Sequence, residues 1–200
     1  MGDLTTGDNP TAALKRFKAE AWPLLPALLR VARMLTRDEH QAEDLVQETM
    51  LRACRHIATF QPGTNMKAWL MTILRRTHID LYRKASRRVD AGSLDAMEIE
   101  PADDAADADD DAWSQPAEIL NRFDDALIEQ ALRELPEGMC WTLLLVDVEQ
   151  MATREAAEVL GVPAGTVKSR ASRARAQLRS LLLPLAHQRG WIPHTEEGPP

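Results

Sequence analysis

Two cysteines and a single tyrosine are all that the 200 residues hold of those types, and several protein classes fall away at once. Cys54 and Cys140 cannot build a disulfide framework, and neither has the close Cys/His neighbours that a structural zinc site uses. Cys54 and His56 on one helix would point about 200° apart, too far to share an ion. No apolar run approaches the roughly 20 residues that a spanning helix needs; Met139–Val146 is among the longest. The amino terminus lacks a basic-then-apolar signal segment, so the chain is expected to stay in the cytoplasm without membrane insertion. There is no nucleophile elbow, no phosphate loop and no histidine pair at metal spacing, so no catalytic residue, metal or cofactor is expected. Alternating strand patterns and internal repeats are also missing. What is left, 44% hydrophobic and 28% charged, is the composition of a globular helical protein.

The net charge of −7 would argue against a nucleic-acid partner if it were evenly spread, but it is concentrated in one segment. Residues 91–125 hold twelve acidic residues against one basic, whereas residues 1–90 hold fifteen basic against ten acidic. The flanks can therefore present basic faces. The acidic segment has an Asp/Ala core between Pro101 and Pro116 and too little apolar surface to bury, which predicts an extended linker and a domain boundary. Limited proteolysis is accordingly expected to cut first between about Asp95 and Ser114 and to leave two helical fragments; one resistant fragment spanning both would contradict this. Tethered between basic faces, the linker is expected to compete with DNA phosphate for them.

Both flanks read as helix. Leu25, Leu28, Leu29, Ala32 and Leu35 keep helical spacing after Pro23, with Pro26 a poorer fit to the first turn. A second helix is predicted over Gln41–Ala58 with Leu45, Val46, Leu51 and Ile57 inward. After the turn-rich Phe60–Asn65, a third runs over Met66–Ser86 with Met66, Trp69, Leu70, Ile73, Leu74, Thr77 and Leu81 on one arc. Beyond the linker, helices are predicted near Asp124–Leu135, Met139–Glu149, Thr153–Leu160 and Ala164–Leu183. Residues 1–10 and 190–200 are expected to fray.

The last two helices carry the sharpest local signal. Thr153 is a candidate N-cap, Ala157 is small where two helices would cross, and Gly161 suits a left-handed helix end. On the final helix Val167, Ala171, Ala174, Leu178 and Leu181 fall in one arc, and Thr166, Lys168, Ser169, Arg170, Ser172 and Arg173 occupy the rest. From Val159 to Gly190 there are six basic residues and no acid. This is a helix-turn-helix pattern with a face suited to phosphate and base edges; a solvated helical hairpin is the alternative. The third helix repeats that logic, for Met66–Arg88 has seven basic residues against Asp80 alone. Its basic face and the preceding loop suit a single strand with an unstacked base, although Phe60 and Trp69 also suit a core. On the second helix Asp44, Gln47, Glu48 and Arg52 share one side at three- and four-residue steps, a pattern that an ordinary wet face explains equally well.

In combination, AEDLVQET in the second helix and GTVKSR followed by RAR in the last, in that order and at that separation, resemble the extracytoplasmic-function sigma factors of bacterial RNA polymerase, in the sigma-70 family. The resemblance covers residues from about 15 to 90 and 124 to 183. It implies an all-α fold of two small helical domains: sigma region 2 at 13–90, after a disordered 1–12, and sigma region 4 at 124–186. An acidic linker at 91–123 joins them, and a tail follows at 187–200. It implies that Asp44, Gln47, Glu48 and Arg52 bind core polymerase. Gln61, Asn65, Lys67, Arg75, Arg76 and Arg83 would bind the −10 element as a single strand, and Thr166, Lys168, Ser169, Arg170 and Arg173 the −35 element as duplex. An anti-sigma factor is a further implied partner. The sequence departs from the family at Arg76, where a small polar residue is common, and at MATREAA, where an aromatic-and-acid segment is usual. The runner-up reading, a stand-alone helix-turn-helix regulator, leaves the first 90 residues without a role. A calcium loop at Asp107, Asp109, Asp111 and Glu118 fits poorly, because Ala112 replaces the turn glycine and Pro116 interrupts the exiting helix.

Overall fold

The computed structural model describes residues 10–36, 38–89 and 125–188. The acidic linker, the calcium-like spacing within it, the extreme amino terminus and the end of the tail lie outside the described residues. Every regular element among the described residues is helical, as the composition and spacing predict. They form two compact units, one within residues 1–101 and the other within 102–200.

The first unit contains α1 (Pro10–Ala21), a 3-10 turn at Trp22–Leu24, α2 (Leu25–Leu35), α3 (Glu39–Arg55), a second 3-10 turn at Ile57–Thr59, and α4 (Met66–Val89). Sequence periodicity gave no sign of α1, yet Phe17 and Ala21 on it are buried. Pro26, doubtful by sequence, sits in the first turn of α2, where its missing N–H would have no helical partner anyway. α3 begins two residues earlier than predicted because Asp38 caps it, its Oδ1 accepting from the His40 N–H at 3.0 Å. It also stops at Arg55, the 3-10 turn taking over what was predicted as its end.

α3 lies against α2 and α4, and the core joins Leu28 and Val31 of α2, Leu45 of α3 and Leu70, Met71 and Leu74 of α4. Thr49 and Thr77 are buried with their hydroxyls donating to the carbonyls of Leu45 and Ile73, one turn back, so neither leaves an orphaned polar group. Two apolar residues expected inward are instead exposed: Leu51 at 45% and Leu81 at 39%.

The second unit contains α5 (Asp125–Arg133), α6 (Glu137–Leu143), α7 (Thr153–Leu160) and α8 (Ala164–Gln188). α6 does not run on to Glu149 as regular helix. It opens into a π turn at Leu144–Val148, where the Glu149 N–H donates to the Leu144 carbonyl at 2.9 Å. Gln150 follows in the left-handed region, with φ 54°. Trp141, Leu144 and Leu145 are fully buried, beside Val167, Leu178 and Leu182 of α8. Leu182, and not Leu181, completes the apolar arc, a shift of one position that keeps Leu178 and its i+4 neighbour on the same face. The Cys140 thiol, also buried here, has its pKa pushed up to about 12 chiefly by desolvation, which leaves it neutral and inert.

The turn between α7 and α8 forms as its residues predict. Gly161 takes φ 70° and donates to the Ala157 carbonyl at 2.8 Å, and the Val162 N–H reaches the same oxygen, closing the helix end with a residue that has no Cβ to strain. Ala157 is buried, and α7 lies on α8. Thr153 is not the cap. Ala152 holds that position, and Glu155, three residues on, reaches back to accept from its N–H at 3.2 Å, which is half of a capping box.

Candidate nucleic-acid interface

Three surfaces carry the residues singled out by sequence. On α3, Asp44 and Gln47 are exposed, while Glu48 and Arg52 are half-buried. Asp44, Gln47, Glu48 and the exposed Leu51 fall within about 100° of helix surface, so Leu51 lies in the middle of an otherwise polar strip. Arg52 turns away from the strip toward α4. Its Nε donates to Glu48 Oε1 at 2.8 Å and its Nη1 to Asp80 Oδ2 at 2.7 Å. The hydrogen bonds to Asp80 and then Glu48 raise the guanidinium pKa further. Arg52 thus ties α3 to α4, and Asp80, the lone acid of the basic run, is its partner. The strip itself is acidic with one apolar centre, a pattern that suits a basic partner surface with a hydrophobic contact.

The second surface is the loop before α4 and the basic residues that follow it. Gln61 through Asn65 are all exposed, yet the loop is internally fixed. Thr64 donates from both its N–H and its Oγ1 to the Gln61 carbonyl, Gly63 takes φ 83°, and Asn65 Oδ1 accepts from the Ala68 N–H at 3.1 Å as the cap of α4. Phe60 is buried beneath it, in tilted contact with half-buried Trp69 at a 5.2 Å centroid distance. Phe60 is therefore a floor for the loop and is not available to stack on a base. Along α4 the basic residues form two rows: Lys67 and Arg75, both half-buried, share one side with His78 and Tyr82, whereas the exposed Arg76 and Arg83 share another, about 100° round. Tyr82 is 69% exposed.

The third surface is the outward face of α8. Lys168 is exposed, and Thr166, Ser169, Ser172 and Arg173 are half-buried. Ser169 Oγ donates to the Thr166 carbonyl at 3.1 Å. The middle of the face is small (Gly165, Ser169, Ser172, Ala176), with Lys168 and Arg173 at its edges. Arg179, passed over in the sequence reading, is exposed on the Lys168 edge. Arg170 lies elsewhere: its guanidinium rests against α6 at Gly138, where an added Cβ would come within 3.1 Å of Nη1. Arg175 is held by Asp147 through two hydrogen bonds. The acid-free run thus divides into cations that face outward and cations that the unit uses on itself, a split that only the position of α6 reveals.

Among the described residues no cluster of three or more His, Cys, Asp or Glu is arranged to hold a metal, and no helix is long and apolar enough to cross a membrane.

Comparison with known proteins gives each unit a counterpart. Residues 23–88 match Sigma-70 region 2 and residues 125–178 match Sigma-70, region 4. The chain is 38% identical over 160 residues to an ECF RNA polymerase sigma factor, EcfG, of Rhodopseudomonas palustris, covering 79% of this chain and 80% of that one. Among solved structures it is similar to the sigma factor RpoE in complex with the anti-sigma factor NepR from Bartonella quintana, with TM-score 0.66 and 33% identity, covering 84% of this chain and 98% of that one. It is also similar to CnrH in complex with the cytosolic domain of CnrY, with TM-score 0.57 and 25% identity, covering 88% and 91%.

Proposed function

Because the chain belongs to the extracytoplasmic-function sigma factors of the sigma-70 family, and so directs promoter-specific transcription initiation by bacterial RNA polymerase, we propose how its three surfaces divide that work. The α3 strip of Asp44, Gln47, Glu48 and Leu51 docks on core polymerase, with Arg52 fixing the strip from behind. The loop Gln61–Asn65 receives an unstacked base of the −10 strand, and Lys67, Arg75, Arg76 and Arg83 hold the backbone of that strand and the adjoining duplex. The outward face of α8 enters the major groove of the −35 element. There Thr166, Ser169 and Arg173 sit toward the bases and Lys168 toward phosphate, while Arg170 steadies the helix on α6. The domains follow the same division, with residues 13–90 and 124–186 as the two working parts and 91–123 as the acidic linker. The protein is a regulator without catalysis of its own, since phosphodiester chemistry belongs to the polymerase, and it works in the cytoplasm. An anti-sigma factor restrains it, as the two solved relatives are each held by a partner.

The observation that carries this reading is that an acidic strip with an apolar centre on α3 and a basic, small-centred face on α8 occur in one chain. A duplex-binding regulator needs only the second. Run-off transcription with core polymerase over a genomic promoter library tests it: the chain is expected to confer initiation at a defined subset of promoters, and binding of duplex DNA with no effect on core would overturn the reading. In the same assay Arg173→Ala is expected to cost ~1–3 kcal/mol of promoter affinity and to relax preference at one −35 position. A uniform loss on every promoter would mean that Arg173 touches phosphate alone.

A further inference from the structure

Lys168, Arg175 and Arg179 recur along α8 at steps of seven and four residues, which places them within about 40° of one another on a single edge of its outward face. Lys168 and Arg179 are exposed. Arg175, between them, is engaged: its Nε donates to Asp147 Oδ2 at 3.0 Å and its Nη2 to Asp147 Oδ1 at 2.7 Å. The pair is largely shielded, with side chains 26% and 13% exposed. Asp147 comes from the π turn that ends α6, so an irregular turn delivers a carboxylate to the row of cations.

We propose that Asp147 is a specificity-determining residue for DNA binding, acting as a counter-charge that withholds Arg175 from the phosphate backbone. The inference rests on the reading of α8 as the −35 helix. Every cation that neutralises a phosphate adds affinity for any sequence alike, whereas a sigma factor depends on the ratio between its site and the rest of the chromosome. Three cations on one edge would strengthen the sequence-independent grip; two of three leave base contacts a larger share. The bidentate geometry keeps Arg175 in place, because releasing it would leave Asp147 unpaired in a shielded position. Were the pair only a fastener between α6 and α8, breaking it would loosen the helix and weaken all DNA binding. Loss of a counter-charge has the opposite sign.

The full chain is titrated against a labelled short duplex of random sequence, by anisotropy, between about 50 and 200 mM salt. Lys168→Gln is expected to flatten the slope of log affinity against log salt by about one, as for a lost phosphate contact. Asp147→Asn is expected to steepen it by about one and to tighten binding several-fold at the low-salt end, since Arg175 becomes available. Arg175→Gln is expected to leave the slope unchanged. An unchanged or flatter slope for Asp147→Asn overturns the proposal, and so does a flattening by about one for Arg175→Gln, which would show Arg175 already on phosphate. If helical circular dichroism shows Asp147→Asn to be unfolded, the Arg175→Gln slope decides. No change for Lys168→Gln would remove the reading of α8 along with the inference. The expected change for Lys168→Gln with none for Asp147→Asn removes the inference alone.

Discussion

A chain carrying Asp44→Lys and Leu51→Ser is expected to bind core polymerase on the order of a hundred- to a thousandfold more weakly, about 3–4 kcal/mol, while keeping its melting behaviour. Both side chains are exposed on α3, so neither substitution opens a cavity or strands a buried partner, and the helix pays only a few tenths of a kcal/mol in propensity. At a docked surface the same two positions lose an apolar anchor and turn an attraction into a repulsion, the kind of change that dominates interface energetics. Asp44 is the better site for reversal than Glu48, because a lysine at 48 would also face Arg52 and disturb the link to Asp80. Competition against the parent for core enzyme measures the effect. Unchanged affinity would show that the α3 strip is merely a wet helix face.

The second large effect is on stability. Trp141→Ala should cost about 3–5 kcal/mol in the second unit, since a fully buried tryptophan leaves a large cavity between α6 and α8 that the surrounding leucines cannot fill. The first unit shares none of that core. Urea unfolding followed by helical circular dichroism should therefore split into two transitions, the earlier one belonging to the second unit, and core binding should persist where −35 binding is lost. A single transition displaced as a whole would mean that the units stabilise each other.

How far the sequence could be read depended on whether a feature was local. The α7–α8 turn was legible because Gly161, Ala157 and Val167 act within a few residues, and the structure places each as expected. The start of α3 was legible too, had the Asp38-Glu39 pair been weighed as a cap followed by an acidic first turn. Glu155 marks Ala152 as the cap of α7 by its three-residue offset, a stronger cue than the type preference that favoured Thr153. Leu51 and Leu81 were misplaced because a periodic apolar residue reads as core whether it meets this chain or a partner. The links Arg52–Asp80 and Arg175–Asp147 each span 28 residues and depend on how two helices pack. Nothing in the spacing of the charges announces them, and they decide which arginines stay outward.

Each unit is built from helices that meet near neighbours along the chain, without a described strand to wait for a distant partner. Such topologies close quickly, in about microseconds to milliseconds, whereas a ribosome adds about 5–20 residues per second. The unit that ends with α4 is therefore complete for several seconds before α8 has been synthesised. During that interval a nascent chain already displays the acidic strip on α3 but not the −35 reader. Anything that recognises the first unit, polymerase or inhibitor, can capture the protein while it is still being made, and the order of the two units along the gene gives that partner the first opportunity.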